Sequence, residues 1–217
     1  MTYREILEPI ATSPELPQLL KELTDIWQEE QKRRAEFYDW VSPDIKAEFI
    51  EGEIIVHSPV RNRHSEVLGF IIRLIGTFVD TNGLGRFGYE SNMCRFPRND
   101  YEPDFAFFDK ETAKIINDET TIFPIPQLII EILSTSTQHR DRGVKYKDYE
   151  ANGVQEYWII DAKKDIIEQY ILKDGEYILK EKHNQKSTLS SEVLTNFTIP
   201  IKAFFDKNAN LTALKNI

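Results

Sequence analysis

The stretch Leu128-Ile129-Ile130-Glu131-Ile132-Leu133, followed by Gln138–Ala151 and then by Gln155–Ile160, decides the fold. Its first part is a short apolar run with one charge inside it, the pattern of a buried strand. The middle part is polar and helical in spacing, with Ser136 or Thr137 as its cap and Asn152-Gly153 as its stop. Its last part is a second apolar strand. This strand–helix–strand unit is long enough for a crossover between parallel strands, and such crossovers are right-handed by default.

Upstream, Ile45–His57 alternates and breaks at Glu51-Gly52. A two-residue turn ending in Gly marks a hairpin, and pairing across it sets Glu48 opposite Ile55 and Phe49 opposite Ile54. After Ser58-Pro59 comes a helix of about Asn62–Thr81, with His64, Leu68, Ile71, Ile75 and Phe78 on one stripe and Asn82-Gly83 at its end. Strands are expected near Arg86–Arg95 and Asp104–Phe108. Downstream, Asp165–Leu172 and Glu176–Lys180 form a hairpin around Lys173-Asp174-Gly175, residues 183–192 read as loop, and Thr198–Phe205 is a last apolar stretch.

Residues 14–40 read as a helical arm, with Ser13 as a cap and Leu19, Leu20, Leu23, Ile26 and Trp27 at helical spacing. The expectation is a solvated helix that packs this stripe on the domain; the alternative is a partner-binding or dimerising helix.

The chain of 217 residues has 27 Lys and Arg against 36 Asp and Glu, a net charge of −9. That balance argues against a broadly basic nucleic-acid binder, whose affinity rests on many phosphate contacts, and against a polybasic membrane-surface protein. A hydrophobic fraction of 41% excludes a wholly disordered chain. One cysteine, Cys94, permits neither an intrachain disulfide nor a cysteine zinc cluster. With no apolar signal core at the start and no run of about 20 apolar residues, a cytoplasmic protein without a membrane span is expected.

Chemistry centres on Glu131. Strand side chains alternate, so Glu131 shares a face with Ile129 and Leu133, and burying a lone carboxylate costs several kcal/mol unless it is paired or binds a cation. A half-exposed strand end or a structural ion pair is the plain alternative. Asp104, in Glu102-Pro103-Asp104 before Phe105-Ala106-Phe107-Phe108, is either a turn residue or a second carboxylate about 4.8 Å away on a neighbouring strand, able to share a divalent cation with Glu131. Lys145 lies in the locally basic stretch Arg140–Lys147, on the helix that starts beside the Glu131 strand; Asp141, at i−4, is a structural partner for it. Glu48 is tucked into the hairpin. His64 opens the buried helix face, as a core histidine or as a polar contact to the site. No Gly-rich phosphate loop, Gly-x-Ser-x-Gly elbow or His-Glu-x-x-His pair occurs, and His57, His139 and His183 lack zinc-ligand spacing.

In order along the chain, Glu48-Phe49-Ile50-Glu51-Gly52-Glu53, Ser58-Pro59, Arg63-His64, Glu102-Pro103-Asp104-Phe105, Ile130-Glu131-Ile132-Leu133-Ser134, Arg140-Asp141-Arg142-Gly143, Lys145, Tyr149 and Gly153–Asp161 resemble the Uma-type putative restriction endonucleases of the PD-(D/E)XK superfamily. The resemblance covers about residues 45–206, so it implies an N-terminal arm (1–44), a nuclease-like domain (45–206) and a tail (207–217). It implies an α/β fold with a restriction-endonuclease-like mixed central sheet flanked by helices. Pro103-Asp104 matches the "PD" and Glu131 the acidic position. The lysine usual two residues later is absent, since position 133 is Leu; Lys145 stands where this family has moved it, and Glu48 matches an additional acid. The departure at Thr135, where Pro is usual, affects a loop.

The function expected from this set is hydrolysis of DNA phosphodiester bonds with Mg²⁺ or Mn²⁺ on Asp104, Glu131 and Glu48, Lys145 assisting the water or the transition state, and His64 as auxiliary. A homodimer is expected, one site for each strand of a duplex. The alternative is a non-catalytic module that keeps the fold to bind nucleic acid or protein; a hydrolase of small phosphoesters is a third reading and requires a closed pocket.

Overall fold

The computed structural model describes residues 3–42 and 44–217; Met1, Thr2 and Pro43, assigned to the arm from sequence, lie outside the described residues. The arm is a helical pair, α1 (Tyr3–Ala11) and α2 (Leu16–Trp40). Ser13 acts at the entry to α2, its Oγ accepting the Glu15 N–H at 3.1 Å. The apolar stripe of α2 does not pack on the domain: Leu20, Leu23, Ile26 and Trp27 are exposed, and the buried residues are Glu30, Arg34 and Phe37. Helical spacing shows that a stripe exists but not what covers it.

The arm is fastened by charge. Arg34 places Nε 2.7 Å and Nη2 2.8 Å from the two oxygens of fully buried Asp100, and its guanidinium also donates to the backbone oxygens of Phe96, Pro97 and Asn99. Tyr38 donates to Asp100, and Arg98 is bidentate on Glu30. Arg34→Met leaves Asp100 buried without its cation, so a stability loss of about 3–5 kcal/mol is expected. Faster tryptic cleavage at Lys32 and Arg33 should accompany it; unchanged digestion and melting would show that the arm is held in another way.

Next come β1 (Ala47–Ile50) and β2 (Glu53–Val56), paired in the expected register, Glu48 opposite Ile55 and Phe49 opposite Ile54. Glu51 and Gly52 both have positive φ (52° and 84°), as a two-residue hairpin turn of matching twist requires. The apolar helix is α3 (Asn62–Ile71), a π-helical turn (Ile72–Gly76) and α4 (Thr77–Asn82). His64, Leu68, Ile71 and Ile75 are buried as the stripe predicts. The wider turn rotates α4 about the helix axis, so Val79 is buried and Phe78 only half so.

The strands β3 (Gly85–Tyr89), β4 (Met93–Arg95), β5 (Asp100–Tyr101) and β6 (Phe105–Asp109) precede α5 (Lys110–Ala113), β7 (Ile122–Phe123) and β8 (Leu128–Ile132). Thus the stretch read as one strand near Arg86–Arg95 is two, broken where Glu90 takes φ 52°. Then follow α6 (Gln138–Asp141), α7 (Val144–Ala151), β9 (Glu156–Asp161), β10 (Ile166–Lys173), β11 (Glu176–His183), β12 (Thr188–Ser190), β13 (Thr198–Pro200), a 3₁₀ turn (Ile201–Phe204) and α8 (Lys207–Leu214). β12, in the segment read as loop, pairs with β13. Asn210 of α8 donates to the backbone of Phe70 and Ala203, which ties the helix to the domain.

The central sheet is six-stranded in the order β11-β10-β9-β8-β6-β3. β8 and β9 are parallel, as the crossover predicts, and the other neighbours are antiparallel, so the sheet is mixed. One face, with Phe105, Phe107, Ile130, Ile132 and Trp158, packs against α3, α4 and the C-terminal elements. On the other face Ala106, Phe108, Ile129 and Ile159 meet Tyr149 and residues of a second sheet, ordered β2-β1-β5-β4-β7. The chain passes from that sheet into the central one at Glu102-Pro103-Asp104, between β5 and β6. Among the described residues no helix is long and apolar enough to cross a membrane.

Candidate active site

The β6–β8 register, Phe105 opposite Ile130 and Ala106 opposite Ile129, extends by one residue to set Asp104 across from Glu131. Both side chains lie on the face that carries Ala106 and Ile129. Asp104 Oδ2 accepts the Ile132 N–H at 2.7 Å, so the adjacent strand itself positions this carboxylate. Its Oδ1 lies 3.2 Å from His64 Nε2 and 3.5 Å from Lys46 Nζ.

Glu131 Oε1 accepts from Lys145 Nζ and from Tyr149 Oη, each at 2.9 Å; no described residue donates to Oε2. Lys145 is also 2.8 Å from Glu48 Oε1 and 3.7 Å from Asp141 Oδ1. The helix read as Gln138–Ala151 is broken at Arg142-Gly143, which re-aims α7 toward the sheet. Gly143 is required at that break, because a Cβ there would come 2.6 Å from the His139 backbone oxygen. Glu48 Oε1 also accepts the Glu102 N–H at 3.0 Å, while Oε2 lies 3.1 Å from His57 Nε2. The structure therefore brings Glu48, Glu131 and Lys145 into direct contact, and Asp104 and His64 into a second contact beside them.

All these groups are buried, over a floor of aromatic rings in which Tyr101–Tyr149 and Tyr149–Tyr157 centroids are each 5.2 Å apart. One ammonium faces three carboxyls. Burial pushes Glu131 up to about 8; Lys145 opposes the rise, while Asp141, Asp104 and Glu48 add to it, so the carboxyl keeps a proton near neutral pH. Burial acts the same way on Glu48, but Lys145 and His57 outweigh it and hold that carboxyl at about 2. Asp104 is likewise held at about 2, burial being overcome by His64, Lys46 and the Ile132 N–H. Glu102 rises to about 7 through burial and Glu48. Lys145 is raised well above its ordinary value: burial opposes its charge, but Glu131, Glu48 and Asp141 prevail.

A family model described as "Putative restriction endonuclease", Uma2, matches residues 34–202. The chain belongs to this family. Its match starts at Arg34, the residue that latches the arm, so most of α1 and α2 lies outside the Uma2 portion. A crystal structure of a putative nuclease belonging to DUF820, from Anabaena variabilis, is similar with a TM-score of 0.66 at 22% identity, over 79% of this chain and 96% of that one. At that identity the likeness establishes the fold, an α/β nuclease-like architecture. A comparison with curated proteins returned no match.

Does this Uma2-family site suit a divalent ion? Asp104 and Glu131 supply hard oxygens on adjoining strands, and Glu131 has an oxygen to which no described residue donates. Among the described residues no group of three or more His, Cys, Asp or Glu is arranged to hold a metal. The donors that fit are thus two carboxylates, and Mg²⁺ is commonly bound by one or two carboxylates with water and phosphate completing its shell. Glu48, expected as a further ligand, sets Oε1 2.8 Å from Lys145 Nζ and Oε2 3.1 Å from His57 Nε2.

Sequence reading overlooked Lys46 and Glu102 as site residues and weighed His57 only as a zinc ligand. Lys46 was within reach: it stands two residues before Glu48, where strand alternation favours the same face. Glu102 was hidden by its own Pro-Asp context, which reads as a turn.

Proposed function

We propose that this Uma2-family protein is a metal-dependent, type II restriction endonuclease-like phosphodiesterase that hydrolyses DNA. The observation that carries this reading is the opposition of Asp104 and Glu131 across β6 and β8, with Lys145 on Glu131. Asp104 and Glu131 hold the ion, Mg²⁺ or Mn²⁺. When bound, it supplies positive charge at the phosphate and activates water. Asp104 is aimed by the Ile132 N–H and by His64, which keeps its carboxylate ionised and oriented. Lys145 steadies Glu131 and adds positive charge toward the attacking water and the transition state. Glu48 also holds that ammonium, at 2.8 Å. A homodimer that presents one site to each strand, in the cytoplasm, completes the reading; sedimentation at micromolar concentration reports the dimer.

The test is cleavage of plasmid and linear duplex DNA in Mg²⁺ or Mn²⁺, wild type beside Asp104→Asn. A fall of about 10²–10³-fold in rate is expected for the variant, the size of losing one electrostatic element of a hydrolytic site. Equal cleavage by both proteins would mean a contaminating nuclease. The second reading, a binding module that retains the fold, is favoured by the closure of the cluster, in which Glu48 is wholly buried and Lys145 is 2% exposed. Thermal stabilisation by millimolar Mn²⁺ that disappears in Asp104→Asn supports the nuclease; no shift in the wild type supports the module.

A further inference from the structure

Two lysines reach the carboxylates, and they differ in freedom. Lys145 has a side chain 2% exposed and is gripped by Glu48, Glu131 and Asp141; leaving them would strand three buried carboxyls. Lys46 has a side chain 24% exposed and touches one oxygen, Asp104 Oδ1, at 3.5 Å, which is an ion contact rather than a hydrogen bond. The two other basic groups at these carboxylates, His57 and His64, are 14% and 9% exposed. Lys46 is therefore the most solvent-accessible cation in contact with the proposed ligand carboxylates. Asp104 does not depend on it for position, since Oδ2 is pinned separately by the Ile132 N–H and Oδ1 also faces His64.

We propose that Lys46 is the substrate-facing cation of this site: it screens Asp104 in the free protein and contacts a phosphate oxygen of DNA when the strand is bound. Lys145 organises the carboxylates from below, and Lys46 meets the phosphate from the solvent side. The assignment rests on the nuclease reading and adds a division of labour to it. A flexible ammonium with three rotatable donors suits this exchange, because it can leave a carboxylate for a phosphate without a fixed bidentate geometry.

The geometry makes two effects of Lys46→Gln run in opposite directions. Removing a positive charge 3.5 Å from Asp104 should lower the Mn²⁺ concentration at half-maximal thermal stabilisation by about 5-fold. Removing a phosphate contact should weaken binding of a duplex oligonucleotide, measured by anisotropy without divalent metal. It should also reduce the slope of log K against log salt by about 0.9. Lys46→Arg should restore the slope, and Lys186→Gln, at an exposed position on the loop between β11 and β12, sets the background for losing any surface charge. A purely structural lysine would weaken metal and DNA binding together and lower the melting temperature of Lys46→Gln, and that result overturns the assignment. An unchanged salt slope in Lys46→Gln, with wild type binding and cleaving DNA, overturns it while leaving the nuclease reading intact. Wild type that neither binds nor cleaves DNA removes the nuclease reading and this role with it.

Discussion

Lys145→Met should destabilise the fold by about 3–5 kcal/mol at pH 8, the size expected when one partner of a buried ion pair is removed. The methionine fills most of the volume, so cavity formation is a minor part of the effect. The cost is electrostatic: Glu48 and Glu131 lose contacts of 2.8 and 2.9 Å, and Asp141 loses its neighbour at 3.7 Å. The aromatic floor offers these carboxyls nothing but Tyr149 in return. Protons can replace the lost cation, so the penalty should shrink as pH falls from 8 toward 5. Urea unfolding at the two pH values measures it. A loss below about 1 kcal/mol at pH 8 would show that water already reaches the cluster. Lys145→Arg should not restore stability, because a planar fork cannot take the place of an ammonium set among carboxyls from β1, β8 and α6.

Glu131→Gln should do two opposite things. It should abolish most metal-dependent cleavage, with a loss of about 10²–10³-fold or more, because one of two proposed ligand carboxylates is gone. It should also make the metal-free protein less sensitive to alkali. The sign follows from where the proton sits. Glu131 is raised from 4.5 to about 8, so between those values the folded protein holds a proton that the unfolded chain has released. Stability contributed by that proton is complete below pH 4.5 and is lost as pH rises to about 8, at roughly 1.4 kcal/mol per unit for a single group. Glutamine cannot release it, so this limb should flatten. Asp104 and Glu48, held at about 2, act in the other sense: their stabilisation is present above their ordinary values of 3.8 and 4.5 and is lost as the solution is acidified toward pH 2. Unfolding free energies from pH 5 to 9 report the alkaline limb. An unchanged slope in Glu131→Gln would place the retained proton on another group. In the wild type, Mn²⁺ binding should strengthen over the same interval, since the ion must displace that proton.

Much of this architecture was legible because it is local. Strand alternation put Glu131 on the face of Ile129, the Glu51-Gly52 turn set the β1–β2 register, and the length between β8 and β9 was enough for a parallel crossover. Family resemblance then singled out Asp104, Glu131, Lys145 and Glu48. The breaks were harder to read: the π-helical turn at Ile72–Gly76, the interruption at Gly143 and the division of Arg86–Arg95 between two sheets each depend on what the segment packs against. The arm shows the same boundary. Its apolar stripe is plain in the sequence, yet the helix docks through Arg34 on Asp100, 66 residues away.

By itself, the sequence determined the hairpin register, the strand–helix–strand unit around Glu131 and the presence of a costly carboxylate inside an apolar strand, because residue periodicity and turn chemistry act over a few positions. Only the tertiary structure decided which charges share that burial. Glu48, Glu131, Asp141 and Lys145 come from four separate elements, and no local pattern specifies that three carboxyls surround one ammonium. Nor does any pattern reveal that Lys46 remains open to solvent while Lys145 does not. Those outcomes follow from distance and desolvation, which exist only once β1, β6, β8 and α7 have been brought together.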